Sequence, residues 1–149
     1  FQYMPHEIEM MINTIHTYKN LGIKGIVFGA LLADFTIDLP SIMKVAKAAE
    51  GLNFVFHKAI DFTPNPIVAT QALARIKGIT HILTSGGAPT AKKGASMIRN
   101  MHNQSQHIKI IAAGNIRDYN LNEHIKLLGI NEFHGKLILG HLNQKKSQI

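Results

Sequence analysis

Cysteine is absent from all 149 residues. Its absence excludes disulfides, thiolate metal sites and iron–sulfur clusters within the chain, and it accords with a reducing, cytoplasmic setting. Acidic residues are also scarce, nine against sixteen Lys and Arg, which gives a formal net charge of +7. An excess of cations raises the question of a nucleic-acid partner. Here, however, the cations are scattered, with no cluster denser than a pair such as Lys145-Lys146, and neither zinc-finger spacing nor an RNA-binding aromatic signature occurs. The charge reads as a solvated basic surface, and no nucleic-acid partner is expected. Long hydrophobic runs are missing as well: none approaches the ~20 residues needed to cross a bilayer. The opening stretch from Phe1 to Glu9 is mixed and acid-bearing, so it lacks the pattern of a signal peptide, and no membrane contact is expected.

What is present is a globular composition, 46% apolar and 17% charged, in a chain long enough for one domain with a real core. The domain is expected to run from residue 1 to residue 141, followed by a polar tail at 142–149. The first element reads as an amphipathic helix from His6 to Asn20, because Ile8, Met11, Ile12, Ile15 and Tyr18 recur at spacings of three and four. An apolar run from Gly25 to Leu32 reads as a strand. Asp38-Leu39-Pro40 then opens a helix that stops at Gly51, since proline is tolerated where the first-turn N–H has no partner. Further strands are expected at 53–60, 81–84, 108–113 and 132–134, with helices at 67–77, 91–103 and 121–128 between them. Strict alternation of strand and helix implies parallel strands joined by crossovers. The apolar Gly29-Ala30-Leu31 does not suit the glycine-rich first turn of a doubly wound sheet. The expected fold is therefore α/β, a TIM-type (β/α)8 barrel present in part, with about five βα units. Eight strands and roughly 250 residues make a typical barrel, so about 60 to 90 residues of such a barrel would precede Phe1.

Chemistry gathers where the strands end. The run Phe54-Val55-Phe56 is continuous apolar strand, yet His57, Lys58 and Asp61 follow at once. Buried strands exclude ionisable groups because desolvating them is costly, whereas the C-terminal ends of barrel strands line the active-site mouth. Thr84-Ser85-Gly86-Gly87, Ala113-Gly114-Asn115 and Phe133-His134-Gly135 repeat the pattern. His57 and His134 are candidates for an acid/base pair or for neutral imidazole ligands to a metal ion, and Asp61 is expected to orient His57 or Lys58 or to cap the following loop. If strand alternation continued, His57 and Lys58 would point to opposite faces, Lys58 toward the helices. Ser85 and Gly86, together with Gly114 and Asn115, offer hydroxyl and backbone N–H groups suited to a phosphate or carboxylate. The remaining histidines lack paired spacing, and the methionines sit mostly at helical core positions.

The segments Gly25-Ile26-Val27-Phe28-Gly29-Ala30-Leu31, Phe56-His57-Lys58-Ala59-Ile60-Asp61, Ile82-Leu83-Thr84-Ser85-Gly86, Gly114-Asn115-Ile116 and Glu132-Phe133-His134, in that order and spacing, resemble the CutC copper homeostasis family from about Phe1 to Gly140. The resemblance implies a cytoplasmic (β/α)8 barrel linked to copper handling. The family's usual Arg-Ala-Phe-Asp stands here as Lys58-Ala59-Ile60-Asp61, and the cysteines on which a copper site partly leans are absent. If copper is bound, His57 and His134 are its expected ligands. The alternative functions are a barrel enzyme acting on a small anionic metabolite, with His57, Asp61 and His134 as its catalytic groups, or a truncated barrel without function. A sheet of five barrel strands also has two open edges, through which a second copy of the chain is a further expected partner.

Overall fold

The structure, a computed structural model, describes residues 1–139; the expected polar tail and the C-terminal domain boundary lie outside them. Five strands, β1 Gly25–Phe28, β2 Asn53–Phe56, β3 Ile79–Thr84, β4 Lys109–Ala113 and β5 Glu132–His134, alternate with helices. The helices are α1 Pro5–Asn20, α2 Leu39–Ala48, α3 Pro66–Ala74, α4 Ala95–Gln104 and α5 Leu121–Leu128. The strands form one sheet in the order β1-β2-β3-β4-β5, every neighbouring pair parallel. Sequential order with no reversal is the winding of a barrel; a doubly wound sheet would turn back on itself at a switch point. The fold is α/β, a five-unit part of a (β/α) barrel.

Side chains alternate across the strands and sort the sheet into two unlike faces. On one face Phe54, Phe56, Ile82, Ile110 and Ala112 are buried with Ile42 and Val45 of α2, Leu73 of α3, and Ile98 and Met101 of α4. The other face carries Val27, which is 63% exposed, and the half-buried Val55, Leu83 and Ile111; the register sets Val55 beside Val27 and Leu83 beside Ile111. Near the N-terminal ends of the strands this face is ionic: Glu132 of β5 bonds His81 of β3 at 3.2 Å and Lys109 of β4 at 3.0 Å.

The helix starts follow capping chemistry. Asp38 accepts the Ser41 N–H at 3.2 Å ahead of α2, and Asn65 accepts the Ile67 and Val68 N–H groups at 3.1 and 3.2 Å ahead of α3, each satisfying donors the helix leaves orphaned.

Three boundaries depart from the sequence expectation by four residues. The first strand stops at Phe28 instead of reaching Leu32, and Leu31 forms an antiparallel bridge to Ile37 within the following loop. The second strand stops at Phe56 instead of Ile60, and Lys58–Phe62 winds into a 3₁₀ turn. The fourth helix starts at Ala95, not Ala91. Beyond β1 the residues Ala30, Leu31 and Leu32 remain apolar, so periodicity alone could not reveal where that strand ends.

Candidate functional site

The site lies at the C-terminal edge of the sheet, where β2 and β3 deliver their last residues. The 3₁₀ turn after β2 has three residues per turn, so side chains at i and i+3 eclipse one another. That geometry stacks Lys58 on Asp61, with Nζ 2.8 Å from Asp61 Oδ2. Lys58 therefore does not continue the strand alternation toward the helices. Its side chain is 40% exposed while that of Asp61 is 8% exposed, and its Nζ also bonds Ser85 Oγ.

Asp61 is the hub. Its carboxylate accepts the Ser85 N–H at 3.0 and 3.1 Å, the Gly87 N–H at 2.9 Å and the Thr84 hydroxyl. Ser85 Oγ lies 2.9 Å from Asp61 Oδ2 and 2.7 Å from the Ala88 carbonyl oxygen, and donates its single proton to one of them at a time. The Gly86 N–H turns back to Thr84 Oγ1 at 2.8 Å. The N–H groups of Ser85, Gly86 and Gly87, expected to meet an external anion, are thus all bonded inside the chain.

Burial raises the Asp61 pKa, but the hydrogen bonds from Lys58, Thr84, Gly87 and Ser85 together outweigh it and hold the carboxyl below its ordinary value. Burial likewise dominates at His57 and lowers its pKa. His57 Nδ1 accepts the Ala59 N–H at 3.2 Å, capping the 3₁₀ turn, and its ring packs against Phe1 and Phe56 at centroid distances of 4.6 and 5.9 Å. Gly29 makes room for it: a Cβ there would lie 2.7 Å from the imidazole.

Both shifts have the same sign for stability. A folded-state pKa below the unfolded one means that the unfolded chain binds the proton first, so stability falls on acidification. The His57 contribution is expected to be lost from about pH 6.5 downward, and that of Asp61 only below about pH 4, through its depressed folded value. Urea midpoints measured from pH 8 to 3 are expected to fall in two stages, with His57→Gln removing the first stage and leaving the second.

The other expected residues stand apart from this hub. His134 ends β5, is exposed, and pairs in register with Ala113; β3 and β4 separate its strand from that of His57. Gly114, at φ +111°, would bring a Cβ within 3.0 Å of the Ala91 nitrogen and 3.1 Å of Ser85 Cβ, so its lack of a side chain lets the loop after β4 close against the loop after β3. Asn115 adopts φ +58° and its carbonyl accepts from Asn120 Nδ2 at 2.9 Å. Among the described residues no three His, Asp or Glu side chains gather to hold a metal ion. Lys58 joins the site although strand alternation was expected to turn it toward the helices, and Thr84, expected with Ser85 as a hydroxyl of the loop, bonds Asp61. The signal for Lys58 was its i,i+3 spacing to Asp61, legible only once the strand is known to end before it.

Comparison with known proteins accords with this architecture. The CutC family description matches residues 1–139. A family protein CutC from Treponema denticola is 37% identical over 135 residues, covering 90% of this chain and 54% of the relative. One from Photorhabdus laumondii is 30% identical over 152 residues, covering 100% of this chain and 60% of the relative. The crystal structure of the putative copper homeostasis protein CutC from Streptococcus agalactiae matches with a TM-score of 0.83 at 24% identity, over 90% of this chain and 66% of that one, and so supports the fold. The chain spans about half the length of the curated relatives it matches. With the sequential parallel sheet and the matched motifs spread over nearly all of its length, the chain belongs to the CutC family.

Proposed function

We propose that this chain serves copper homeostasis as a CutC-type barrel, in the cytoplasm, and that its mouth receives a small anionic compound at Lys58. The copper-homeostasis role is supported by the description of the Streptococcus agalactiae relative. The anion is supported by one observation: the Lys58 side chain is partly exposed at the sheet edge, while the carboxylate that braces its ammonium is buried and hydrogen-bonded within the chain. An ammonium braced in this way is a preorganised contact for a carboxylate or phosphate oxygen. Phosphorylated and carboxylated metabolites screened by thermal shift are expected to include ligands that stabilise the protein. For any such ligand Lys58→Met is expected to weaken binding by about tenfold or more, the worth of one charge-assisted hydrogen bond. A screen without hits, or a Lys58→Met protein that binds as well as the parent, refutes the anion reading.

Copper as cargo is a separate reading, supported by the imidazoles of His57 and His134 at two strand ends of the same sheet edge. Neutral imidazole suits copper, and His57 keeps Nε2 for a metal because Nδ1 is spent on the Ala59 N–H. Under this reading, copper titration followed by calorimetry is expected to give one ion per chain, with His57→Ala and His134→Ala each weakening uptake by about tenfold or more. Binding that survives both substitutions overturns these ligands.

A further inference from the structure

The loop Thr84–Gly87 has the form of an anion nest. Gly86 adopts a positive φ of 71° directly after Ser85, whose φ is not positive, and this change of hand turns neighbouring N–H groups toward one concave side, as in phosphate-binding nests. In this chain the concavity is already filled. The Asp61 carboxylate accepts the Ser85 and Gly87 N–H groups and the Thr84 hydroxyl, and its side chain is 8% exposed. On its outer side the same carboxylate, with Ser85 Oγ, holds the Lys58 ammonium.

We infer that the Thr84–Gly87 loop is a self-filled nest, in which Asp61 supplies the anion from within the chain and through it fixes Lys58 at the mouth. Asp61 is then a positioning residue and does not touch a ligand. A ligand's anionic group meets Lys58, not the loop N–H groups. The backbone argues for the same division: a Cβ at Gly86 would come within 2.4 Å of the Gly94 carbonyl oxygen, so the loop lies packed against the start of α4 on the side away from Asp61's donors. The inference concerns how Lys58 is held and stands whichever ligand or metal the mouth receives.

The test uses the full chain labelled with ¹⁵N and ¹³C. In the unsubstituted protein, couplings across hydrogen bonds are expected from the Ser85 and Gly87 amide nitrogens and from Lys58 Nζ to Asp61 Cγ; their absence overturns the inference. In Asp61→Ala, amide exchange at Ser85 and Gly87 is expected to accelerate on the order of tenfold or more, as when a charge-assisted bond is lost. Sodium formate, the size of the excised carboxylate, is expected to restore most of the protection, and sodium chloride at equal ionic strength none of it. Unaltered exchange, or equal effects of the two salts, refutes the nest. Asp61→Asn sharpens the comparison because its Oδ1 can still accept the Ser85 and Gly87 N–H groups while its Nδ2 meets Lys58 Nζ donor to donor: it is expected to keep most of the amide protection, to lose the coupling to Lys58 Nζ and to ignore formate, and exchange at Ser85 and Gly87 that responds to formate as in Asp61→Ala also refutes the inference. Should Asp61→Ala fail to fold, the couplings in the unsubstituted protein and the Asp61→Asn exchange decide the matter.

Discussion

Replacing Gly94 with Ala is expected to destabilise the chain by about 3 kcal/mol, the upper part of the usual range for overpacking. Gly94 has an ordinary backbone conformation, φ −88° and ψ 8°, and caps the start of α4. The cost is purely one of space. A Cβ at this position would sit 1.9 Å from the Ser85 carbonyl oxygen and 3.0 Å from Gly86 Cα, and backbone cannot rotate aside as a side chain can. Relief requires the loop after β3 to lift away from α4, which pulls Ser85 and Gly87 off the Asp61 carboxylate. Urea unfolding is the measurement: the midpoint is expected to fall with an unchanged slope. In the same protein, exchange at Ser85 and Gly87 is expected to accelerate. A Gly94→Ala protein as stable as its parent would show that the two loops do not cross this closely.

The second large effect is expected at Phe56. This ring is fully buried at the last position of β2, and Phe→Ala in a core costs about 3 to 5 kcal/mol from lost transfer energy plus the cavity left behind. Phe56 also matters locally. Its ring lies 5.9 Å from that of His57 and would stand 3.1 Å from a Cβ at Gly29, so it forms the floor under the imidazole. Phe56→Ala is therefore expected to lower the urea midpoint strongly and also to loosen His57, seen as broadened imidazole resonances at temperatures where the chain remains folded. Phe56→Leu, closer in volume, is expected to cost less than about 1.5 kcal/mol and to leave those resonances sharp. An alanine variant that loses less than the leucine variant would place Phe56 outside the core.

The first prediction turns on a contact between loops, and there the sequence was least informative. Elements with strong local signals were legible. Helix α1 follows from the spacing of Ile8, Met11, Ile12 and Ile15, and α5 from Leu121 to Leu128 was found at its expected bounds. The clustering of His57, Lys58 and Asp61 just beyond an apolar strand marked the site region, and the family resemblance rested on the same motifs. The partners of each residue were not legible. His57, Asp61 and His134 were expected to act together; the structure joins Asp61 to Lys58, Thr84, Ser85 and Gly87 and leaves His134 on a strand three positions along the sheet. Whether Lys58 faces the helices or the mouth depends on where β2 stops, and Ala59 and Ile60 are as apolar as a strand requires.

By itself the sequence determined the fold class, the number of βα units and the edge of the sheet that carries chemistry, because hydrophobic periodicity and turn residues act over a few neighbours. Only the tertiary structure decided that Gly87 of the Thr84–Gly87 loop donates its N–H to a carboxylate 26 residues earlier in the chain. Hydrogen-bond satisfaction of a buried charge is a long-range requirement: Asp61 must find donors wherever folding brings them. No pattern of nearby residues encodes which loop that will be.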